Sequence, residues 1–223
     1  YRVFRSTTND PNGAENISGS EFINTTSYND YGAPRGIDVY YWVKASAYAQ
    51  GYRASNFSSS NAGWYPVAPP TNVQATDGQF SVRVTITWSP PANATHYRVF
   101  RSTVNNPALS TNISGTSWIT TEYFHDMTAV AGTIYYYWVK AARSSAGIRS
   151  SDYSTGNSGW VAFASAPDAI ASDGTYTDKV NVTWNTVSGA TYYKVFRNTV
   201  NNPETSSAMT VWQLATTYDD VSS

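Results

Sequence analysis

The sequence has no cysteine in its 223 residues, so no disulfide staples it and each domain must stand on packing alone. Charge is scarce. Asp, Glu, Lys and Arg make up 13% of the chain, with 14 basic side chains against 15 acidic ones. That near-balance gives no electrostatic handle for nucleic acid or an acidic membrane surface, so no nucleic-acid partner is expected. No apolar run approaches the roughly 20 residues that cross a bilayer, so no membrane span is expected. Helical periodicity is absent from every segment. Histidine occurs only as His96 and His125, and neither sits among Cys, His or carboxylate residues at metal-ligand spacing. Gly-rich phosphate loops and a G-x-S-x-G nucleophile turn are also missing.

What the sequence does contain is a repeat. "YRVFRST" starts at Tyr1 and returns at Tyr97, and "YKVFRNT" starts at Tyr193, a step of 96 residues each time. Trp42 and Trp138 share "YYWVKA", Trp64 and Trp160 follow a glycine, and Trp88 and Trp184 close "VTITW" and "VNVTW", all at the same step. Three spans follow: 1–67, the C-terminal part of a repeat; 68–163, a complete repeat; and 164–223, the N-terminal part of a third. The terminal spans read as a window on a longer array. Completion by strands lent from neighbouring chains is the other reading, weakened because both ends keep the third strand.

The complete span reads as short alternating strands separated by turn residues, the pattern of a β-sandwich. Val82, Val84, Ile86 and Trp88 alternate with Arg83, Thr85 and Thr87, so the first set is expected inside. "SPPANAT" is a turn, because its prolines cannot sit within a paired strand. The repeat also argues against a shared active site: His125 and Asp126 have the look of a dyad, yet the first copy holds Asn29 and Asp30 there. Asp173 and Asp178 in "SDGTYTD" face the same objection as a calcium loop, since the second copy has Asp77 but Val82. No catalytic, metal or cofactor site is expected, and the chain is not expected to be an enzyme. Six N-x-[ST] triplets occur, at Asn16, Asn24, Asn56, Asn93, Asn112 and Asn181, in a chain whose Asn, Ser and Thr content produces such triplets by chance. That polar richness fits an extracellular or cell-surface setting.

Trp88 in the second strand, "YRVFR" from Tyr97, "GTIYYYWVKA" from Gly132 and "SSDYS" from Ser150 resemble the fibronectin type III domain, in the tandem form found in bacterial and archaeal surface and secreted proteins. The resemblance covers the whole chain and implies an all-β fold of tandem immunoglobulin-like sandwiches. It implies that Trp88 and Trp184 are core residues, and that Tyr135 is a corner tyrosine whose hydroxyl bonds back to the backbone. Val39 holds that place in the first copy, which is therefore expected to lack the bond. Tyr135, Tyr137, Val139 and Ala141 would point inward. Arg98, Phe100, Tyr136, Trp138 and Lys140 would then form an outer patch, repeated in the first copy as Arg2, Phe4, Tyr40, Trp42 and Lys44.

An exposed patch of three rings flanked by cations has the size of an interaction surface, although cross-strand pairing alone also places aromatics this way. Trp64 and Trp160, each before a proline-bearing junction, are expected to brace domain boundaries. These readings point to a non-catalytic structural or adhesive repeat protein, part of a fibre, stalk or filament, whose partners are copies of itself. The alternative is a carbohydrate-binding or spacer module of a secreted polysaccharide-active protein, with the same rings stacked on glycan.

Overall fold

The computed structural model describes residues 1–221. Its elements are β-strands and two short 3-10 turns, and every strand pairing is antiparallel. The first span contributes β1 (Arg2–Ser6), β2 (Glu15–Asn16), β3 (Val39–Lys44) and β4 (Asn61–Gly63), in the order β2-β1-β3-β4. The middle span holds β5 (Thr71–Ala75), β6 (Val84–Ser89), β7 (His96–Ser102), β8 (Thr111–Asn112), β9 (Tyr123–Asp126), β10 (Tyr135–Ala142) and β11 (Asn157–Gly159). These form two sheets, β5-β6-β9 and β11-β10-β7-β8. The third span adds β12 (Ala169–Ala171), β13 (Val180–Trp184), β14 (Phe196–Arg197), β15 (Ser207–Ala208) and β16 (Thr217–Asp220), with sheets β12-β13-β16 and β14-β15.

The middle unit is a sandwich of a three-stranded and a four-stranded sheet. Its core is filled by the inward rows that alternation predicts: Val84, Ile86 and Trp88 from one sheet meet Tyr97, Val99, Tyr137, Val139 and Ala141 from the other. Each of the larger side chains contributes about 1.5–3 kcal/mol by leaving water. Val82 departs from expectation. It precedes β6, which starts at Val84, and it is exposed while Arg83 lies over the Phe80 ring at 4.2 Å. Trp88 and Trp184 are buried, each against a tyrosine, Tyr97 at 5.3 Å and Tyr193 at 5.8 Å between ring centroids.

The register repeats between units. Phe4 pairs with Trp42 and Arg2 with Lys44 across β1 and β3, as Phe100 pairs with Trp138 and Arg98 with Lys140 across β7 and β10. The chain is thus all-β, a tandem series of immunoglobulin-like sandwich units at a period of 96 residues.

Two recurring polar devices tie these strands. In the first, Arg101, at the end of the inward row of β7, pairs with Asp126 at 2.6 Å, and the Tyr137 hydroxyl donates to the same carboxylate at 3.0 Å. The first unit repeats it with Arg5, Asp30 and the Tyr41 hydroxyl at 2.9 Å, and the third pairs Arg197 with Asp220 at 2.7 Å. This corrects the corner tyrosine. The bonding hydroxyl belongs to Tyr137, two residues further along the same inward row than Tyr135, and its acceptor is a carboxylate instead of the backbone. The Tyr135 ring lies beneath the Arg101 guanidinium at 4.4 Å. The first unit is therefore not deficient, because Tyr41 occupies the working position.

In the second device, Asn112 accepts from the Ser114 N–H and hydroxyl at 3.0 and 2.9 Å and donates to the Gly115 carbonyl at 2.7 Å. Ser114 Oγ in turn accepts from the Val99 N–H at 3.0 Å, filling the place of a missing ladder carbonyl. Asn16, Ser18 and Gly19 repeat the clasp on Val3. We expect Asn112→Ala to destabilise the middle unit by about 1 kcal/mol, the net worth of one such bond, with the others partly replaced by water. Urea titration checks this, and a change below a few tenths would show that the clasp is incidental.

Candidate interaction face

Adjacent residues of β10 point to opposite sides, so Tyr136, Trp138 and Lys140 do leave the core face. Their exposure is another matter. Trp138 is 2% exposed and Trp42 3%, so neither is the open ring that the sequence reading expects. The cause is the segment before β11. Ser151 and Ser154 donate their N–H groups to the Ala141 and Val139 carbonyls, while their hydroxyls accept from the N–H groups of those residues at 2.8 and 2.9 Å. Serine hydroxyls standing in for carbonyls pull this segment out of regular pairing and across the outer face. At Gly156 the backbone sits directly on the indole, where a Cβ would lie 2.4 Å from the Trp138 nitrogen.

The rest of the patch is half-buried and internally paired. Phe100 meets Tyr153 edge to face, with centroids 5.0 Å apart at 81°, and Lys140 lies 4.8 Å from the Tyr153 ring. In the first unit Phe4 meets Phe57 at 4.9 Å and 83°, with Lys44 at 4.3 Å. Tyr40 lies beside Trp42 and Tyr136 beside Trp138, at 6.5 and 6.4 Å between centroids. Arg98 turns toward the neighbouring loop, bonding the Thr116 carbonyl and lying 4.9 Å from the Trp118 ring, as Arg2 bonds Ser20 and covers Phe22. Tyr153 and Phe57 belong to the face although their sequence context marks only the start of a strand. Their shared step of 96 residues is the signal that reveals them.

Around Asp126 the electrostatics are those of a structural site. Burial by itself would raise its carboxyl, but hydrogen bonds from Thr128 and the Arg101 guanidinium outweigh that and hold it below the ordinary carboxylate value. Burial and the adjoining Asp126 charge push the Tyr137 hydroxyl far above the ordinary tyrosine value, and burial with the Asp30 hydrogen bond pushes Tyr41 up to about 12. His125 faces away from this cluster and shares a 3.0 Å contact with Thr85 Oγ1.

The two junction tryptophans differ. Trp64 is 52% exposed, with the Arg149 guanidinium of the middle unit 4.9 Å from its ring. Trp160 is 37% exposed and braces its own unit by lying on Gly78, whose N–H donates to the Trp160 carbonyl at 2.9 Å. Three of the N-x-[ST] asparagines are committed to the fold. Asn16 and Asn112 make the clasps, and the Asn181 amide donates to Asp219 at 2.7 Å. Among the described residues no group of three or more His, Cys, Asp or Glu is placed to hold a metal ion, and no helix is long and apolar enough to cross a membrane.

The three-plus-four arrangement of strands and the alternating core define a fibronectin type III-like β-sandwich. No protein-family model matches the sequence, and no curated protein matches it. Among solved structures it is similar to a Fn3-like protein from Clostridium thermocellum, 27% identical with a TM-score of 0.37, over 45% of this chain and 99% of that one. The FN1-FN3 domains of chicken CNTN1 match at 13% identity and a TM-score of 0.37, over 99% of this chain and 80% of theirs. A beta-1,2-glucanase from Parabacteroides distasonis matches at 17% and 0.35, over 49% of this chain and 15% of the enzyme.

Proposed function

We propose that the chain is a non-catalytic structural and adhesive repeat protein of the cell exterior. In this reading it forms part of a surface fibre, stalk or filament in which copies meet through the repeated outer face. The observation that carries the reading is the duplication of that face: Phe4 with Phe57, Tyr40 and Lys44 in one unit, and Phe100 with Tyr153, Tyr136 and Lys140 in the next, at near-identical ring geometry. A surface presented once per unit at a fixed step suits a partner with the same step, which another copy of the chain supplies. Glycan stacking is the weaker reading, because on this face the widest flat rings, Trp42 and Trp138, are sealed and only tyrosine and phenylalanine rings remain.

Electron microscopy over a concentration series tests the proposal, comparing the parent with a Tyr40→Ser, Tyr136→Ser double variant. Laterally associated rods are expected in the parent, with association weakened at least about tenfold in the variant, a loss of about 1.4 kcal/mol. Single rods at every concentration would overturn it, and retention of the parent on a polysaccharide column would put the glycan reading in its place.

A further inference from the structure

The two junctions between consecutive units share Gly36 with Gly132 and Trp64 with Trp160, but differ where Asp38 and Arg35 give way to Ile134 and Ala131. At the first, Arg149 of the middle unit forms an ion pair with Asp38 and places its guanidinium 4.9 Å from the Trp64 ring, both in the first unit. Its carbonyl also accepts from the N–H of Val67 in the connecting segment at 3.2 Å, and the Val67 side chain is anchored in the middle core. One residue thus grips the preceding unit with its side chain and the connection with its backbone.

Arg149 is held at φ 55°, a left-handed conformation uncommon outside glycine. Arg53, its equivalent in the first unit, has the same φ of 55°, so the loop is built to project this arginine at the unit's pole.

At the second junction Ile134 stands where the first has Asp38, so that position offers no carboxylate. Contact is made instead between glycine backbones. A Cβ on Gly132 would lie 2.3 Å from the Gly189 carbonyl oxygen, and one on Gly189 would lie 2.5 Å from that of Ala131. At the first junction the corresponding Gly36 packs on Val67 and the Arg143 stem, and Arg35 donates to the Pro66 carbonyl at 3.3 Å. Three arginines therefore meet this junction, and Asp38 is the carboxylate that answers one of them.

We infer that Arg149, Asp38 and Trp64 form an electrostatic latch fixing the first joint, while the second joint is set by backbone contact. Among the described residues the first joint is then salt-sensitive and the second is not. The two joints respond differently because a partly exposed ion pair is screened over about 3 Å at 1 M salt, whereas steric contact is indifferent to it. The latch stands or falls independently of lateral assembly.

The absence of cysteine allows a direct test. Thr7, Thr103 and Thr199 are exposed and occupy equivalent places in the three units. Cysteines introduced there and spin-labelled give the 7–103 distance across the first joint and the 103–199 distance across the second, by pulsed electron resonance on the full chain. At low salt both distributions should be narrow. Arg149→Met or Asp38→Asn should broaden the first at least twofold and leave the second unchanged, with 1 M NaCl doing the same to the parent. An unchanged 7–103 width in both variants, or equal broadening of both joints in salt, would overturn the inference.

Discussion

Asp126→Ala is expected to lower the stability of the middle sandwich by about 3 kcal/mol, the low end of the cost of breaking a buried ion pair because Arg101 keeps some contact with water. Four donors lose their acceptor at once: the Arg101 guanidinium, the Tyr137 hydroxyl, and the N–H and hydroxyl of Thr128. For a unit of this size the loss corresponds to a fall in Tm of roughly 12 °C or more. Calorimetry of the whole chain, with the middle unit's transition assigned by hydrogen exchange, measures it. A fall under about 1 kcal/mol would mean that the cluster is not a structural tie.

The same cluster sets the pH response, with opposite signs at its two limbs. Asp126 titrates lower folded than unfolded, so its contribution is complete above the ordinary carboxylate value near 3.9 and is lost as pH falls through the lower folded value. Tyr137 and Tyr41 titrate higher folded than unfolded. Their contribution is complete below about pH 10 and is lost as pH rises toward their raised values. Tyr137→Phe should therefore flatten the alkaline limb of the middle unit and leave the acid limb in place.

Much of the fold is legible in the sequence because two periods are superimposed on it. The alternation of Val84, Ile86 and Trp88 gives the face of the strand, and the 96-residue step gives the pairing of β7 with β10 twice over. The errors lie where alternation stops being informative. Tyr135 and Tyr137 share one inward row, so alternation cannot say which hydroxyl reaches a partner. That depends on β9 pairing Val84 with Asp126 and bringing the carboxylate to one end of the core. Trp138 points off the core face, yet alternation says nothing about what lies on top of it. The covering segment is positioned by Ser151 and Ser154 through hydroxyl bonds that no hydrophobic pattern records. The Arg and Asp ties were open to discovery. Arg5, Arg101 and Arg197 recur at one step, and Asp30, Asp126 and Asp220 recur with them once the shorter third copy is allowed for.

Trp138→Ala separates the two meanings that an aromatic on an outer strand face can have. If the ring served a partner and stood in solvent, its removal would cost the isolated chain less than about 1 kcal/mol, the range of an exposed cross-strand pair. Buried between Tyr136, Phe100 and the Gly156 backbone, it should instead cost about 3–5 kcal/mol, as large-to-small changes in a packed core do. Tyr136→Ser, one residue away and half-buried, should stay near 1 kcal/mol. The contrast is read by urea unfolding of the two variants side by side. Equal, small losses would show that the covering segment lifts easily and that the indole is available to a ligand. A large gap would mean that the segment is a fixed part of the sandwich, and that any partner meets the rim formed by Tyr136, Tyr153 and Lys140 and never the tryptophan beneath it.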